Sequence, residues 1–224
     1  MSVFRDLVNI WKSEDNLSQA WSESNDMLHL SHEMFNDAVE ALRSGEKNKV
    51  LKSIKLRDEK INDYHREIRK KVVTYYSVSK DVTNIDSGLV LINTVVDIER
   101  IGDYSKNILD LAKHYPKKFI AEKFSEDLRA IEETVIDRFS STIKAVEDMD
   151  ENLADKLIAS YRNDLGKISD KLVAASISGD VEIGKENKTA SVALYARYLK
   201  RIGAHLKNIT SLVVNPFESI GYIK

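Results

Sequence analysis

Apolar residues recur three and four positions apart through most of the chain, which is the spacing of one buried face of an α-helix. The breaks between these periodic stretches predict six long helices. The first runs from Leu17 to Arg43 and stops at SGEKNK; the second runs from Lys47 to Val78; the third follows the capping signal DVTNIDSG and reaches His114. Each approaches thirty residues, roughly 45 Å of helix. No proline precedes Pro116, so nothing forces a break in the first half, and HYPKKF then divides the chain near its midpoint. Three further segments are predicted at Glu122–Asp148, Glu151–Ser178 and Lys185–Val214.

The two halves echo each other. ERIGDYSKNI, Glu99 to Ile108, and KRIGAHLKNI, Lys200 to Ile209, share Arg, Ile, Gly, Lys, Asn and Ile at an offset of 101 residues. The expected fold is all-α, two tandem three-helix bundles over residues 1–115 and 116–224, each too thin to bury its apolar surface alone. Gly102 and Gly203 lie inside helices, where glycine costs about 0.5–1 kcal/mol relative to alanine, so close approach of a neighbour is expected there. Ahead of the first helix, Phe4, Leu7, Val8 and Trp11 form a stripe at i, i+3, i+4, i+7, suited to packing on the bundle or in a dimer. Phe217, Ile220 and Tyr222 are expected to cover the end of the second bundle.

Charge narrows the function classes. With 34 Lys and Arg against 36 Asp and Glu, the net charge of −2 argues against a dedicated nucleic-acid binder, which needs a basic surplus or face. The absence of cysteine removes disulfides, thiolate nucleophiles and zinc–thiolate sites. The N-terminal stretch lacks the basic start and apolar core of a signal peptide, and no run of eighteen apolar residues occurs. A cytoplasmic protein is expected. No histidine has a glutamate three residues before it, so the Glu-x-x-His pairs of di-iron oxidases are absent. Neither a G-x-x-x-x-G-K-S/T phosphate loop nor a Gly-x-Ser-x-Gly elbow is present.

Glu99 and Asp103 project from the same helix face, where like charges repel by a few tenths of a kcal/mol. Something must offset them. Arg100, Lys106 and Lys60 are near enough in sequence to do so as surface ion pairs, each worth a fraction of a kcal/mol.

The Glu-x-Ile-Gly-Asp-x-x-x-Asn-Ile pattern on the third helix, its echo on the sixth and the midpoint break together resemble the PhoU family of phosphate-transport accessory and regulatory proteins. The resemblance covers Leu17 to Tyr222. It implies paired three-helix bundles, no catalytic chemistry, and restraint of phosphate uptake and signalling through contact with a phosphate transporter component or sensor kinase, the membrane being reached only through that partner. It also implies iron or zinc on paired acidic motifs. The matching motif on the second helix is DEKIND, where Asp58 and Asn62, or Glu59 and Asp63, can face Glu99 and Asp103. The family pattern favours Asp58, Asn62, Glu99 and Asp103 as the metal site, and such hard oxygen ligands also suit manganese or magnesium. In the second half Lys200 and Ala204 replace Glu99 and Asp103, and LGKIS, Leu165 to Ser169, stands where the second helix has DEKIN. One metal cluster is therefore expected, in the N-terminal repeat. Lys200 and Arg201 are left for an acidic partner or for solvent. Two other classes remain open, a carboxylate-bridged metalloenzyme on the same four residues and a purely structural helical adaptor. The long amphipathic helices also allow a homodimer.

Overall fold

The computed structural model describes residues 16–79, 85–115, 119, 125–178, 188–215 and 217–222. The stripe Phe4–Trp11, the central three residues of HYPKKF and the first four residues of DVTNIDSG lie outside them. Helices are joined by turns and short connections, and the described residues contain no strand.

Helix α1, Asn16–Ser44, buries a continuous apolar face and ends where Gly45 turns left-handed at φ 75°. The Gly45 and Glu46 amides return to the Ala41 carbonyl at 3.1 and 3.2 Å, satisfying the helix end. The predicted second helix is interrupted at Leu56 and forms α2, Asn48–Lys55, and α3, Arg57–Ser79. There the Glu59 amide closes a tighter three-residue turn onto the Leu56 carbonyl at 3.2 Å. Helix α4, Ile85–His114, begins inside the capping signal, three residues before Gly88.

The second unit follows the same plan. Helix α5, Ser125–Glu147, ends at Met149, which adopts φ 57° where α1 uses Gly45. The Asp150 carboxylate then caps α6, Glu151–Tyr161, by accepting from the Leu153 amide at 2.9 Å. A π-helical turn, Arg162–Gly166, leads into α7, Lys167–Ser178. Helix α8, Lys188–Ser211, closes the unit.

Burial makes the duplication explicit. Every buried position of α1 from Ser24 to Leu42 recurs in α5 from Leu128 to Val146 at an offset of 104, and Phe35 stacks on its counterpart Phe139 at 5.8 Å. From Leu91 to Leu109 every buried position of α4 recurs in α8 at the offset of 101 visible in the sequence, as with Ile101 and Ile202. The units share one apolar cluster running from Leu17 to Val213, with α4 packed along α8. Where Leu28 sits in α1, α5 carries Glu132, whose burial is compensated by Arg43 at 2.9 Å and the Tyr195 hydroxyl. Phe217 and Ile220 pack partly against this core. Tyr222 does not cover the bundle end as expected: its side chain is 71% exposed, and it is held by its backbone, the carbonyl accepting from Asn215 at 2.9 Å and the amide donating to the Ser219 carbonyl at 3.1 Å. Among the described residues no helix is long and apolar enough to cross a membrane.

Candidate functional site

Helices α3 and α4 bring the four predicted residues to one face. Gly102 makes this possible, since an added Cβ would stand 3.3 Å from Ile61 Cδ1 and 3.4 Å from Asp58 Oδ1. The bare backbone of α4 thus sits against Asp58. That carboxylate is buried; its Oδ2 accepts from Asn62 Nδ2 at 2.9 Å and from Lys106 Nζ at 2.8 Å, while Oδ1 has no hydrogen-bond partner. Lys106 also reaches Asp103 Oδ1 at 2.8 Å, so one ammonium bridges the two helices. Arg100 holds the other Asp103 oxygen at 2.9 Å and lies 3.6 Å from Glu99.

The carboxylate repulsion is therefore offset within the chain, by Lys106 and Arg100. Lys60 takes no part and lies over the Tyr64 ring at 5.7 Å. Burial lowers the Lys106 ammonium, but the hydrogen-bonded Asp103 and Asp58 outweigh it and leave the group above its ordinary range. Glu99 moves upward too: burial comes first, then the Asp103 charge, against the opposing pull of Arg100 and Lys106. It is the poorly compensated acid of the group. Glu59 and Asp63 point elsewhere, Glu59 exposed and Asp63 bound to Arg66.

The donors fit an oxygen-liganded cation in part. Asp58 Oδ1 is buried and unpaired, and Glu99 gains by any added positive charge. Lys106 occupies the space between Asp58 and Asp103 and would have to yield. Among the described residues no set of three or more acidic or histidine side chains is gathered at ligand geometry. Beside the cluster opens a polar groove of about 490 Å³, lined by Lys55, Arg100, Asp103, Tyr104, Lys106 and Asp110.

The C-terminal counterpart is filled by side chains. Opposite Gly203 stand Leu165, with Cδ2 2.8 Å from a would-be Cβ, and the Tyr161 ring. Leu165 thus takes the place of Ile61, and Tyr161 that of Asp58, which corrects the pairing of LGKIS with DEKIN. The π turn supplies the extra residue: the two contacts on Gly203 are four apart and those on Gly102 three. Lys200 is neither free nor facing solvent alone, since Asp170 holds it at 2.6 Å. Arg201 donates to the Tyr104 hydroxyl at 3.2 Å.

Against known proteins, the model of the PhoU domain family matches residues 25–112. Over those residues, fewer than half of the chain, the sequence is similar to a PhoU domain. The described fold also superimposes on the crystal structure of PhoU from Pseudomonas aeruginosa with a TM-score of 0.77, at 22% identity, covering 89% of this chain and 95% of that one. No curated protein matches the chain. The matched stretch contains the whole cluster, Asp58, Asn62, Glu99 and Asp103, while the superposition extends the similarity of fold beyond it into the second unit.

Two contacts lay beyond the sequence. Lys106 pairs with Asp103 as its spacing suggested, but its bridge to Asp58 depends on the α3–α4 approach. The second is a polar contact in the seam between the units, His205 Nδ1 to Asp97 Oδ1 at 2.6 Å, with Asn208 donating to the same oxygen at 3.2 Å. The repeat could have pointed to it, because the equivalent pair at the same offset, Tyr104 and Tyr198, also touches, with ring centroids 6.0 Å apart.

Proposed function

We propose that this chain is a non-enzymatic regulator of phosphate uptake and phosphate-responsive signalling. It acts in the cytoplasm by binding a phosphate transporter component or a sensor kinase, and Asp58, Asn62, Glu99 and Asp103 hold a metal ion that modulates the contact. Iron, zinc, manganese and magnesium are the candidate ions. The observation that carries this reading is the match to the PhoU domain over residues 25–112, with the acidic cluster of its α3–α4 pair bordering an open polar groove. The polar groove beside the cluster offers charged groups of both signs to a protein surface, a pattern suited to selecting a partner rather than enclosing a substrate.

The test is genetic and biochemical together. In the source organism, removal of the chain is expected to raise phosphate uptake under phosphate-rich conditions, and the tagged chain is expected to retain a phosphate-transporter component or kinase from detergent-solubilised membranes. Unchanged uptake with no such component retained would overturn the reading. Hydrolysis or oxidation lost in Asp103→Ala would replace it with a metalloenzyme on the same residues.

A further inference from the structure

The segment that follows α8 doubles back along that helix. Asn215 Nδ2 donates to the Ser219 and Tyr222 carbonyls at 2.8 and 2.9 Å. Gly221 is then gripped on both backbone groups: Lys207 Nζ donates to its carbonyl at 2.5 Å, and its amide donates to the Ser211 hydroxyl at 2.7 Å. It lies against Asn208 at φ 81°, where a Cβ would stand 2.8 Å from Asn208 Oδ1, so the position calls for glycine. Phe217 and Ile220 of the same segment pack partly against the core.

The offset of 101 carries Lys207, Asn208 and Ser211 onto Lys106, Asn107 and Asp110, and all three line the polar groove beside the acidic cluster. In the first unit the chain goes on to α5 instead, with Phe119 buried and its amide on the Leu42 carbonyl at 3.4 Å, and among the described residues the groove stays open. We propose that this groove docks a short segment of a partner protein, an apolar residue followed by glycine, held by its backbone on α4 as Ile220–Gly221 is held on α8. This gives the partner contact of the proposed function its chemistry, and rests on that function for taking the segment from another protein.

The groups are in place. Lys106 spends two ammonium protons on Asp58 and Asp103 and keeps a third for a carbonyl. Asp110 Oδ1 takes Lys55 at 2.8 Å, which leaves Oδ2 to accept the amide that a hydroxyl accepts in the second unit. Half-buried Asn107 stands where Asn208 underlies Gly221, which sets the glycine. An apolar cleft of about 340 Å³, lined by Leu51 and Leu109, shares Lys55 and Asp110 with the groove and offers room for the side chain before the glycine. Lys52, Lys55 and Lys113 border that cleft against the single acid Asp110, so a segment carrying an acidic residue is favoured, as the tail carries Glu218.

The probe is the tail's own sequence, the peptide FESIGY, titrated into the isotope-labelled full chain and followed by amide shifts in NMR. Saturable shifts are expected at Lys106, Asn107 and Asp110. Affinity should fall about tenfold when the peptide's glycine becomes alanine, because the backbone there is left-handed. Asn107→Leu and Asp110→Ala, at partly exposed positions, should leave the circular dichroism unchanged and weaken the original peptide by a similar factor. No shift at millimolar peptide, or equal binding of the alanine peptide, would overturn the proposal. Shifts confined to Lys207, Asn208 and Ser211 would mean that the peptide only exchanges with the attached tail, and would overturn it too. A dimer of the wild-type chain that Asn107→Leu dissociates would assign the groove to the tail of a second copy instead. Docking and phosphate role fail separately. Peptide bound at the groove, with phosphate uptake unchanged on removal of the chain, would keep the first and discard the second. No peptide bound, with a transporter component or kinase retained equally by wild type and Asn107→Leu, would do the opposite.

Discussion

Tyr104 and His205 hold the same position in the two repeats, 101 residues apart, and their rings meet across the α4–α8 seam with centroids 5.8 Å apart. Around this contact each repeat reaches into the other. His205 takes Asp97 of the first, and Tyr104 takes Tyr198 and Arg201 of the second. The seam is thus built from equivalent positions that have diverged in chemistry, a histidine–carboxylate hydrogen bond on one side of the centre and an aromatic pair on the other.

The Asp97–His205 hydrogen bond is expected to fasten the seam. Asp97 and His205 are 17% and 10% exposed, so removing either leaves the other largely buried without its partner, at a cost of about 1–3 kcal/mol. In a thermal-denaturation cycle of Asp97→Ala, His205→Ala and the double variant, a coupling of about 0.5–3 kcal/mol is expected. Strict additivity would show that the two groups stand side by side without mutual stabilisation.

The paired glycines should respond unequally to alanine. Alanine gains about 0.5–1 kcal/mol in a helix interior wherever there is room. At Gly102 the nearest atoms stand 3.3 and 3.4 Å from the new methyl, so gain and crowding nearly cancel. At Gly203 the methyl meets fully buried Leu165 at 2.8 Å, and overpacking of this kind costs about 1–3 kcal/mol. Urea denaturation should rank Gly203→Ala clearly below Gly102→Ala. The reverse order would mean that Leu165 repacks freely.

The reach of sequence reasoning differed between fold and site for physical reasons. Helix spans and the Ile-Gly echo were legible because burial imposes a period, and Gly102 and Gly203 interrupt helices that have no other cause to contain glycine. The offset of 104 between α1 and α5 was hidden, because packing conserves burial and not residue type: Leu28 answers to Glu132, Met34 to Arg138, Gly45 to Met149. The π turn was likewise invisible, since its one-residue shift leaves the helical period almost intact. The four acidic-site residues could be placed on facing helices, but not the lysine between them. Long side chains choose among partners only once the helices have met.

Alkaline pH should expose the buried phenol in the second unit. Burial, the Glu132 charge and the hydrogen bond to Glu132 hold Tyr195 well above its ordinary value of 10, with Arg43 opposing. The folded chain keeps this proton while the unfolded chain releases it from about pH 10, so the contribution is complete below that pH and is lost as pH rises above it. Each such proton steepens the fall by about 1.4 kcal/mol per pH unit. Tyr161 and Tyr198 are raised in the same direction, chiefly by burial. Denaturant titrations from pH 8 to 11 should find Tyr195→Phe less stable than wild type at pH 8, by about 1–3 kcal/mol for the lost partner of Glu132, and shallower in slope above pH 10. An unchanged slope would mean that the phenol ionises in the folded chain as it does in the unfolded one.

Metal and lysine should compete for the acidic cluster. Lys106 bridges Asp58 and Asp103 where a cation would have to sit, and its ammonium cannot stay once those oxygens become ligands. If the site takes metal, Lys106→Met should therefore bind it more tightly, while Glu99→Ala with Asp103→Ala should not bind at all. Any ion that binds the folded chain alone raises its stability, by about 2.7 kcal/mol at a hundredfold excess over the dissociation constant. Melting temperatures with manganese, iron, zinc and magnesium, paired with elemental analysis after gel filtration, would read both quantities. The expected order of metal-induced shift is Lys106→Met, then wild type, then the double alanine variant. A shift equal in all three would place the metal elsewhere on the chain. No shift even in Lys106→Met, with that variant less stable than wild type, would make Lys106 the permanent counter-ion and leave the cluster to act through protein contacts alone.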